Sequence, residues 1–126
     1  MLRSLITSFG VASMQEISVV SPVYQAAQVV PRLVSEVSSA LKDLTHSFEI
    51  ILVDDRSKDD SWNVIKQECN KSTHVKGLRL SKNFGQHSAI TAGLGLAKGN
   101  WIIVMDCDLQ DRPDQISNLY GKALEG

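Results

Sequence analysis

Two aspartates, Asp106 and Asp108, follow an apolar run over 101–105, and their types and spacing suit a metal ion. Neighbouring carboxylates repel one another unless a cation neutralises them. Hard divalent ions such as Mg²⁺ and Mn²⁺ prefer carboxylate oxygens and often share them with substrate phosphates. The alternative is a solvated turn, where aspartate is also common. We favour the metal site, because ligands of open α/β sheets bind outside the carboxyl ends of strands.

A second pair of acids, Asp54 and Asp55, follows another apolar run over 48–53. Parallel strands place their carboxyl ends at one edge of a sheet, so both pairs of acids are expected to converge there. Such convergence is harder to attribute to chance than either pair alone.

The apolar runs alternate with segments of helical periodicity. The pattern predicts strands over 17–23, 48–53, 75–80 and 101–105, and helices over 28–44, 61–70, 87–98 and from Pro113 to Ala123. The run over 75–80 alternates in polarity and is therefore expected near a sheet edge. This order predicts an α/β fold, in which alternating β/α units form a mainly parallel sheet joined by right-handed crossovers.

Local features refine this prediction. Residues 1–15 are expected to be a loosely ordered N-terminal extension, followed by one domain over 16–126. Gly93 and Gly95 would weaken an isolated helix, so we expect them to permit close packing on the sheet. Gly99 is expected to end that helix.

Composition excludes several classes of protein. The chain has 126 residues, 43% of them hydrophobic, and a net charge of −1 with no basic block, which argues against a nucleic-acid partner. No apolar run is long enough to span a bilayer. Cys69 and Cys107 are too few for a disulfide framework, so reduced thiols in the cytoplasm are expected. Neither common phosphate-binding glycine loop occurs in the sequence.

Four segments together resemble one known family. They are Val-Ser-Pro-Val-Tyr at 20–24, Val-Asp-Asp-Arg-Ser-Lys-Asp-Asp-Ser-Trp at 53–62, Asn-Phe-Gly-Gln-His at 83–87 and Met-Asp-Cys-Asp-Leu-Gln-Asp-Arg-Pro at 105–113. The sequence resembles the inverting family 2 glycosyltransferases of the GT-A, Rossmann-like fold. Within them it is most similar to the polyprenyl- and dolichol-phosphate glycosyltransferases.

The resemblance implies roles for the matching residues. It implies that the donor nucleotide is contacted by Pro22, Tyr24, Asp55, Lys82 and Asp106, with Asp55 accepting a hydrogen bond from the base. It further implies that Mg²⁺ or Mn²⁺ on the diphosphate is held by Asp106, Asp108 and Gln110. Such a metal would neutralise charge that develops on the leaving group. Gln25-Ala26 departs from the family's usual Asn-Glu, which puts a contact near the ribose in doubt.

The resemblance also implies what the chain would act on and what it lacks. The expected activity is transfer of a sugar from a nucleotide-sugar donor, with inversion, to a polyprenyl-phosphate or cell-envelope glycan acceptor. The general base and the acceptor site are expected beyond residue 126, so the domain is interpreted as truncated. We therefore expect donor binding without sugar transfer, self-association through an exposed apolar face, and a place in the cytoplasm, at the membrane face in a full-length form.

Two alternatives stay open at this point. One is a non-catalytic fragment that binds a nucleotide sugar. The other is a haloacid-dehalogenase-type phosphohydrolase, which also carries Asp-x-Asp after an apolar strand. In that class the motif usually lies on the first strand and continues with Thr or Val, whereas here it lies on the fourth predicted strand and continues with Leu109.

Overall fold

The computed structural model describes residues 5–8, 15–45 and 47–107. Strands and helices alternate through these residues. The elements are β1 (Leu5–Ser8), β2 (Gln15–Val23), α1 (Val30–Lys42), β3 (Phe48–Asp54), α2 (Ser61–Lys71), β4 (Val75–Arg79), α3 (Gln86–Leu96) and β5 (Gly99–Val104). The helix predicted from Pro113 lies outside the described residues.

The strands form one sheet in the order β1-β5-β2-β3-β4. β2 pairs in parallel with both β3 and β5, and β3 pairs in parallel with β4. The prediction of an α/β fold with a mainly parallel sheet is therefore confirmed. β4 lies at an edge of the described sheet, as its alternating polarity indicates.

The order of the strands creates a switch point beside β2. From β2 the chain adds β3 and then β4 on one side, and α3 returns it to the other side of β2 as β5. Ligands of open α/β sheets bind outside the carboxyl ends of strands at such a point. The crevice beyond the ends of β2 and β5 is therefore the expected place for a ligand.

Helices cover both faces of the sheet. α1 packs on one face through an apolar stripe at helical spacing that is wholly buried, and α2 contributes to the same core. α3 packs on the other face through a smaller cluster. The stripe of α1 consists of Val30, Leu33, Val34, Val37 and Leu41.

The expectation of a loosely ordered extension over 1–15 is wrong for part of that segment. Leu5–Ser8 is a strand that pairs antiparallel with β5, with Leu5 opposite Val104 and Ser8 opposite Trp101. Gln15 already belongs to β2. β5 would otherwise expose an unpaired backbone edge, and β1 satisfies that edge. The division of the chain into an extension and a binding part stays a prediction.

The glycines of α3 differ in their surroundings. A Cβ added to Gly93 would lie 2.5 Å from Cγ1 of Val20 and 3.0 Å from Cγ2 of Val53, so close packing on the sheet is confirmed there. Gly95 has nothing within 4 Å of such a Cβ, so the same expectation is wrong for Gly95. Gly99 does not end the helix but begins β5, because α3 already ends at Leu96.

We therefore expect opposite effects from two alanine substitutions on one helix. Gly93→Ala should lower the free energy of unfolding by about 1–3 kcal/mol, because the buried valines beneath it cannot yield without strain. Gly95→Ala should raise it by about 0.5–1 kcal/mol, because alanine favours the helix and meets no neighbour. Urea denaturation of both variants checks this, and equal effects would contradict the packing described.

A buried carboxylate joins the amino ends of four strands. Glu49 of β3 accepts hydrogen bonds from Ser18 Oγ of β2 at 2.6 Å and from the backbone N–H of Lys98 at 2.7 Å. Its other oxygen pairs with Lys76 Nζ of β4 at 2.5 Å. Gly99 N, at the start of β5, donates to Ser18 Oγ at 2.7 Å. This network lies at the amino ends of the strands, whereas the expected ligand site lies at their carboxyl ends.

Candidate functional site

The residues that follow β2, β3 and β5 meet at the carboxyl edge of the sheet. β2 lies between β5 and β3, so Tyr24 directly follows the strand that separates the one before Asp106 from the one before Asp55. Tyr24 is 45% exposed, whereas Asp55 and Asp106 are 4% and 9% exposed. The edge thus presents one exposed aromatic side chain and two largely buried acids.

Asp55 holds the turn that precedes α3. Its Oδ1 accepts a hydrogen bond from the backbone N–H of Phe84 at 2.9 Å, and its Oδ2 accepts one from Gly85 at 3.0 Å. Gly85 has a φ of 99°, which favours glycine over residues with a side chain. The carboxylate of Asp55 therefore fixes a turn whose backbone suits glycine.

The next residue of the same turn contacts the other acid. Gln86, the first residue of α3, donates from Nε2 to Oδ1 of Asp106 at 2.7 Å. Residues 84–86, which we name the acid-bridging turn, therefore contact both Asp55 and Asp106. Sequence reasoning included Gln86 in a motif but gave it no role. The signal available was a polar residue directly after a turn glycine, at the start of a helix.

Asp54 does not join Asp55 at the site. It is fully buried, accepts hydrogen bonds from Ser57 N and Oγ, and forms an ion pair with Arg79 Nε at 3.4 Å. Successive residues at a strand end point to opposite sides, so only one acid of the pair reaches the acid-bridging turn. The expected convergence of both acids is therefore wrong for Asp54, which joins β3 to β4 and to the following loop.

The loop after β2, residues 24–29, is held by the loop after β3. Its consecutive amides at 25–27 donate hydrogen bonds to Ser57 Oγ, Ser61 Oγ and Asp59 Oδ2, over 2.9, 2.9 and 3.3 Å. Burial raises the pKa of the Asp59 carboxyl, but hydrogen bonds from Ser61 and Ala27 bring that pKa below its usual value. The backbone next to Tyr24 is therefore fixed by side chains of a neighbouring strand's loop.

A cavity of about 440 Å³ opens beside this loop. It is lined by residues 25–29 together with Asp59 and Asp60. None of the five residues predicted to contact the donor nucleotide lines it. The cavity and the predicted donor residues thus occupy different parts of the same edge.

The remaining predicted donor residues take different positions. Pro22 is buried within β2, where it stands in register with Val53, so it shapes the strand end. Lys82 is exposed, and its Nζ lies 5.1 Å from the ring centroid of Phe84. Phe84 is itself half exposed and donates its N–H to Asp55. Lys82 therefore lies next to the acid-bridging turn.

The predicted metal ligands are described only in part. Asp106 offers a carboxylate at the carboxyl edge, which fits the oxygen chemistry of Mg²⁺ or Mn²⁺. Asp108 and Gln110 lie outside the described residues. Among residues 15–45 and 47–107, no group of three or more His, Cys, Asp or Glu side chains could hold a metal ion. The metal site stays a prediction that extends beyond this part of the chain.

Comparison with known protein families shows which family the chain belongs to. Residues 18–126 match the sequence profile of the family described as Glycosyl transferase family 2. The chain belongs to glycosyl transferase family 2. The resemblance noted in the sequence is thereby confirmed, and the phosphohydrolase alternative loses its support.

Two relatives of this chain carry the same name. The undecaprenyl-phosphate 4-deoxy-4-formamido-L-arabinose transferase of Pseudomonas savastanoi is 41% identical over 111 residues, which cover 87% of this chain and 33% of that protein. The enzyme of the same name from Yersinia enterocolitica is 42% identical over 113 residues, covering 89% and 35%. The chain thus spans about a third of the length of these relatives.

Solved structures share the fold of this chain. S. aureus TarS 1-349 in complex with UDP-GlcNAc matches with a TM-score of 0.71 at 22% identity, over 88% of this chain and 31% of the TarS 1-349 chain. The mannosyltransferase PcManGT of Pyrobaculum calidifontis, in complex with GDP-Man and Mn²⁺, matches with a TM-score of 0.66 at 18% identity, over 90% and 35%. The GT-A, Rossmann-like fold is therefore confirmed. None of the helices in the described residues is long and apolar enough to cross a membrane.

Proposed function

We propose that this family 2 glycosyltransferase domain binds a nucleoside-diphosphate sugar at the carboxyl edge of its sheet. The observation that supports this most is the acid-bridging turn, which holds Asp55 and Asp106 on either side of the end of β2. The complexes of TarS with UDP-GlcNAc and of PcManGT with GDP-Man are consistent with such a donor.

In this proposal each residue of the edge has one task. Tyr24 offers an exposed ring against which the base packs, and Asp55 accepts a hydrogen bond from the base in addition to those from the turn. Pro22 shapes the strand end beneath Tyr24. Lys82 supplies positive charge to the phosphates, for which its exposed ammonium group is suited.

Asp106 is proposed to bind both the donor and a divalent metal ion, together with Asp108 and Gln110. When bound, Mg²⁺ or Mn²⁺ neutralises negative charge on the diphosphate as it leaves the sugar. Asp106 itself supplies a carboxylate that is buried enough to be weakly hydrated, and Gln86 holds one of its oxygens in place. The Mn²⁺ in PcManGT supports the use of such an ion.

We further propose a polyprenyl phosphate as the acceptor of the sugar, with inversion at the anomeric carbon. The names of the relatives support an undecaprenyl-phosphate acceptor. A phosphate acceptor arrives ionised, so the reaction needs alignment of that oxygen with the anomeric carbon more than it needs a strong base. Such an acceptor places the reaction at a membrane surface, and we propose that this is the cytoplasmic face.

A thermal-shift screen tests the proposed donor class. The purified chain is heated with UDP, GDP and their sugar conjugates, with Mn²⁺ or with EDTA. A ligand present at a concentration of about 100 times its Kd stabilises the folded state by about 2.7 kcal/mol. Such a gain raises the midpoint of thermal unfolding by several degrees. We expect a shift for one nucleoside diphosphate in Mn²⁺, and no shift for any nucleotide would contradict the proposal.

The Asp55→Ala variant is expected to bind the nucleotide more weakly even without metal. A lost hydrogen bond to a charged group costs about 1.5–3 kcal/mol, which is roughly a 10- to 150-fold rise in Kd. Asp55→Asn keeps an acceptor oxygen for the turn and should lose less affinity. Calorimetry of both variants in EDTA checks this, and an unchanged Kd for Asp55→Ala would make Asp55 a purely structural residue.

A further inference from the structure

We propose that Gln86 is a positioning residue, which fixes the carboxylate of Asp106 so that it can bind the metal–nucleotide complex. The inference rests on the proposed function and adds a residue to it. It also makes the acid-bridging turn a link between the base-binding acid Asp55 and the metal-binding acid Asp106.

The backbone before Asp106 is held, and Gln86 holds its side chain. Met105 N donates to Val20 O at 3.0 Å, which ties the chain after β5 to the end region of β2. One carboxylate oxygen of Asp106, Oδ1, accepts the hydrogen bond from Gln86 Nε2 at 2.7 Å. This contact restricts rotation of the carboxylate and so restricts the direction in which its second oxygen points.

Gln86 is itself held on a rigid element. α3 packs against the sheet at Ala89, which is fully buried, and at Gly93, which lies directly on Val20 and Val53. The first turn of the helix is closed by Ala89 N, which donates to Gly85 O at 3.1 Å. A side chain that starts from such a helix positions its partner more accurately than one from a free loop.

The other end of the link is Asp55. It accepts the N–H groups of Phe84 and Gly85, the two residues directly before Gln86. A loss of these bonds would release the start of α3 and, with it, the amide of Gln86. Asp55→Ala is therefore expected to weaken the effect of metal as well as the binding of the base, whereas Asp55→Asn, which keeps one acceptor oxygen for the turn, should weaken the effect of metal less.

The amide of glutamine suits this task chemically. It donates a hydrogen bond to Asp106 without adding charge, so the full negative charge of the carboxylate stays available to a cation. A lysine at this position would also donate, but its positive charge would compete with the metal ion. The choice of a neutral donor is thus consistent with a carboxylate that binds a cation.

The test compares Gln86→Met with the parent and with Gln67→Met. Methionine has a similar length but donates no hydrogen bond, and Gln67 is an exposed residue of α2 that serves as a matched control. The Kd of UDP or GDP, whichever the parent binds more tightly, is measured by calorimetry in Mg²⁺ and in EDTA. The Kd in EDTA divided by the Kd in Mg²⁺ measures the effect of metal.

We expect Gln86→Met to reduce this ratio by about fivefold, the effect of one hydrogen bond of average net strength. Its Kd in EDTA should stay within about twofold of the parent, and Gln67→Met should leave both values unchanged. A merely structural role would instead raise both Kd values together and leave their ratio intact. Gln86→Ala serves as a second variant and should give the same pattern.

The possible failures are distinguishable. If the parent shows an effect of metal and Gln86→Met retains it in full, the role of Gln86 is wrong while the proposed function stands. If the parent binds no nucleotide, or binds it equally in Mg²⁺ and EDTA, the proposed metal-dependent site is wrong, and the role of Gln86 is overturned with it.

Discussion

The Asp106→Asn variant is expected to bind a nucleoside diphosphate with the same Kd in Mn²⁺ and in EDTA. Removal of a residue that only supports a metal ligand typically costs 10- to 100-fold in metal affinity, so loss of the carboxylate itself should cost at least about tenfold. Asparagine keeps an oxygen that can accept the hydrogen bond from Gln86, so the fold around it should persist. Calorimetry with and without metal measures the effect.

A charge-matched control separates this effect from a change in net charge. Asp43 is exposed and caps the carboxyl end of α1. Because α1 begins at the carboxyl edge of the sheet and runs away from it, Asp43 lies far from the candidate site. Asp43→Asn should keep the full effect of Mn²⁺. An Asp106→Asn variant that still bound the nucleotide better in Mn²⁺ would show that Asp106 is no metal ligand.

The second large effect is expected far from the site, at Glu49. Glu49→Ala should lower the free energy of unfolding by about 3 kcal/mol, because it removes the acceptor of Ser18 Oγ and of the Lys98 amide inside the sheet. Lys76 is 39% exposed and stays hydrated when Glu49 is removed. The loss of stability should therefore lie at the lower end of the range that is typical for breaking a buried ion pair. Urea denaturation at neutral pH measures it.

The contribution of Glu49 should depend on pH in a definite direction. Burial raises its pKa, but hydrogen bonds from Lys76, Ser18 and the Lys98 amide, with the charge of Lys76, outweigh burial and bring the pKa below its usual value of 4.5. A lowered pKa in the folded state stabilises the protein above pH 4.5, and this stability is lost as the pH falls below that value. The difference in stability between parent and Glu49→Ala should therefore shrink in acid.

An exposed ion pair provides the control for this prediction. Arg32 and Glu36 pair on the surface of α1 with side chains 71% and 37% exposed. Glu36→Ala should cost no more than about 0.5 kcal/mol. An equal loss for Glu49→Ala and Glu36→Ala would contradict the structural role assigned to Glu49.

Much of the fold could be predicted because its signals are local. The run over 48–53 is apolar at nearly every position, which only a strand covered on both faces requires, and β3 is indeed wholly buried. The spacing of Leu33, Val37 and Leu41 predicts the buried face of α1 in the same way. The apolar runs over 48–53 and 101–105 predict two strands, and Asp55 and Asp106 are expected at their carboxyl ends for that reason.

What could not be predicted depends on pairing between distant segments. β1 is short and contains polar residues, and only its partner β5 makes it a strand. Asp54 and Asp55 are chemically identical, and only the pleat and the positions of Arg79 and Phe84 assign them to different tasks. Gln86 lies 20 residues from Asp106, so no local pattern indicates their hydrogen bond.

Titration of the parent chain with UDP and with GDP by calorimetry, in Mn²⁺ and in EDTA, tests the central claim most directly. The site built around Asp55 and Asp106 predicts that one of the two nucleotides binds, and that EDTA raises its Kd at least about tenfold. Equal affinity with and without metal, or no binding of either nucleotide, would contradict a metal-dependent donor site at this edge of the sheet.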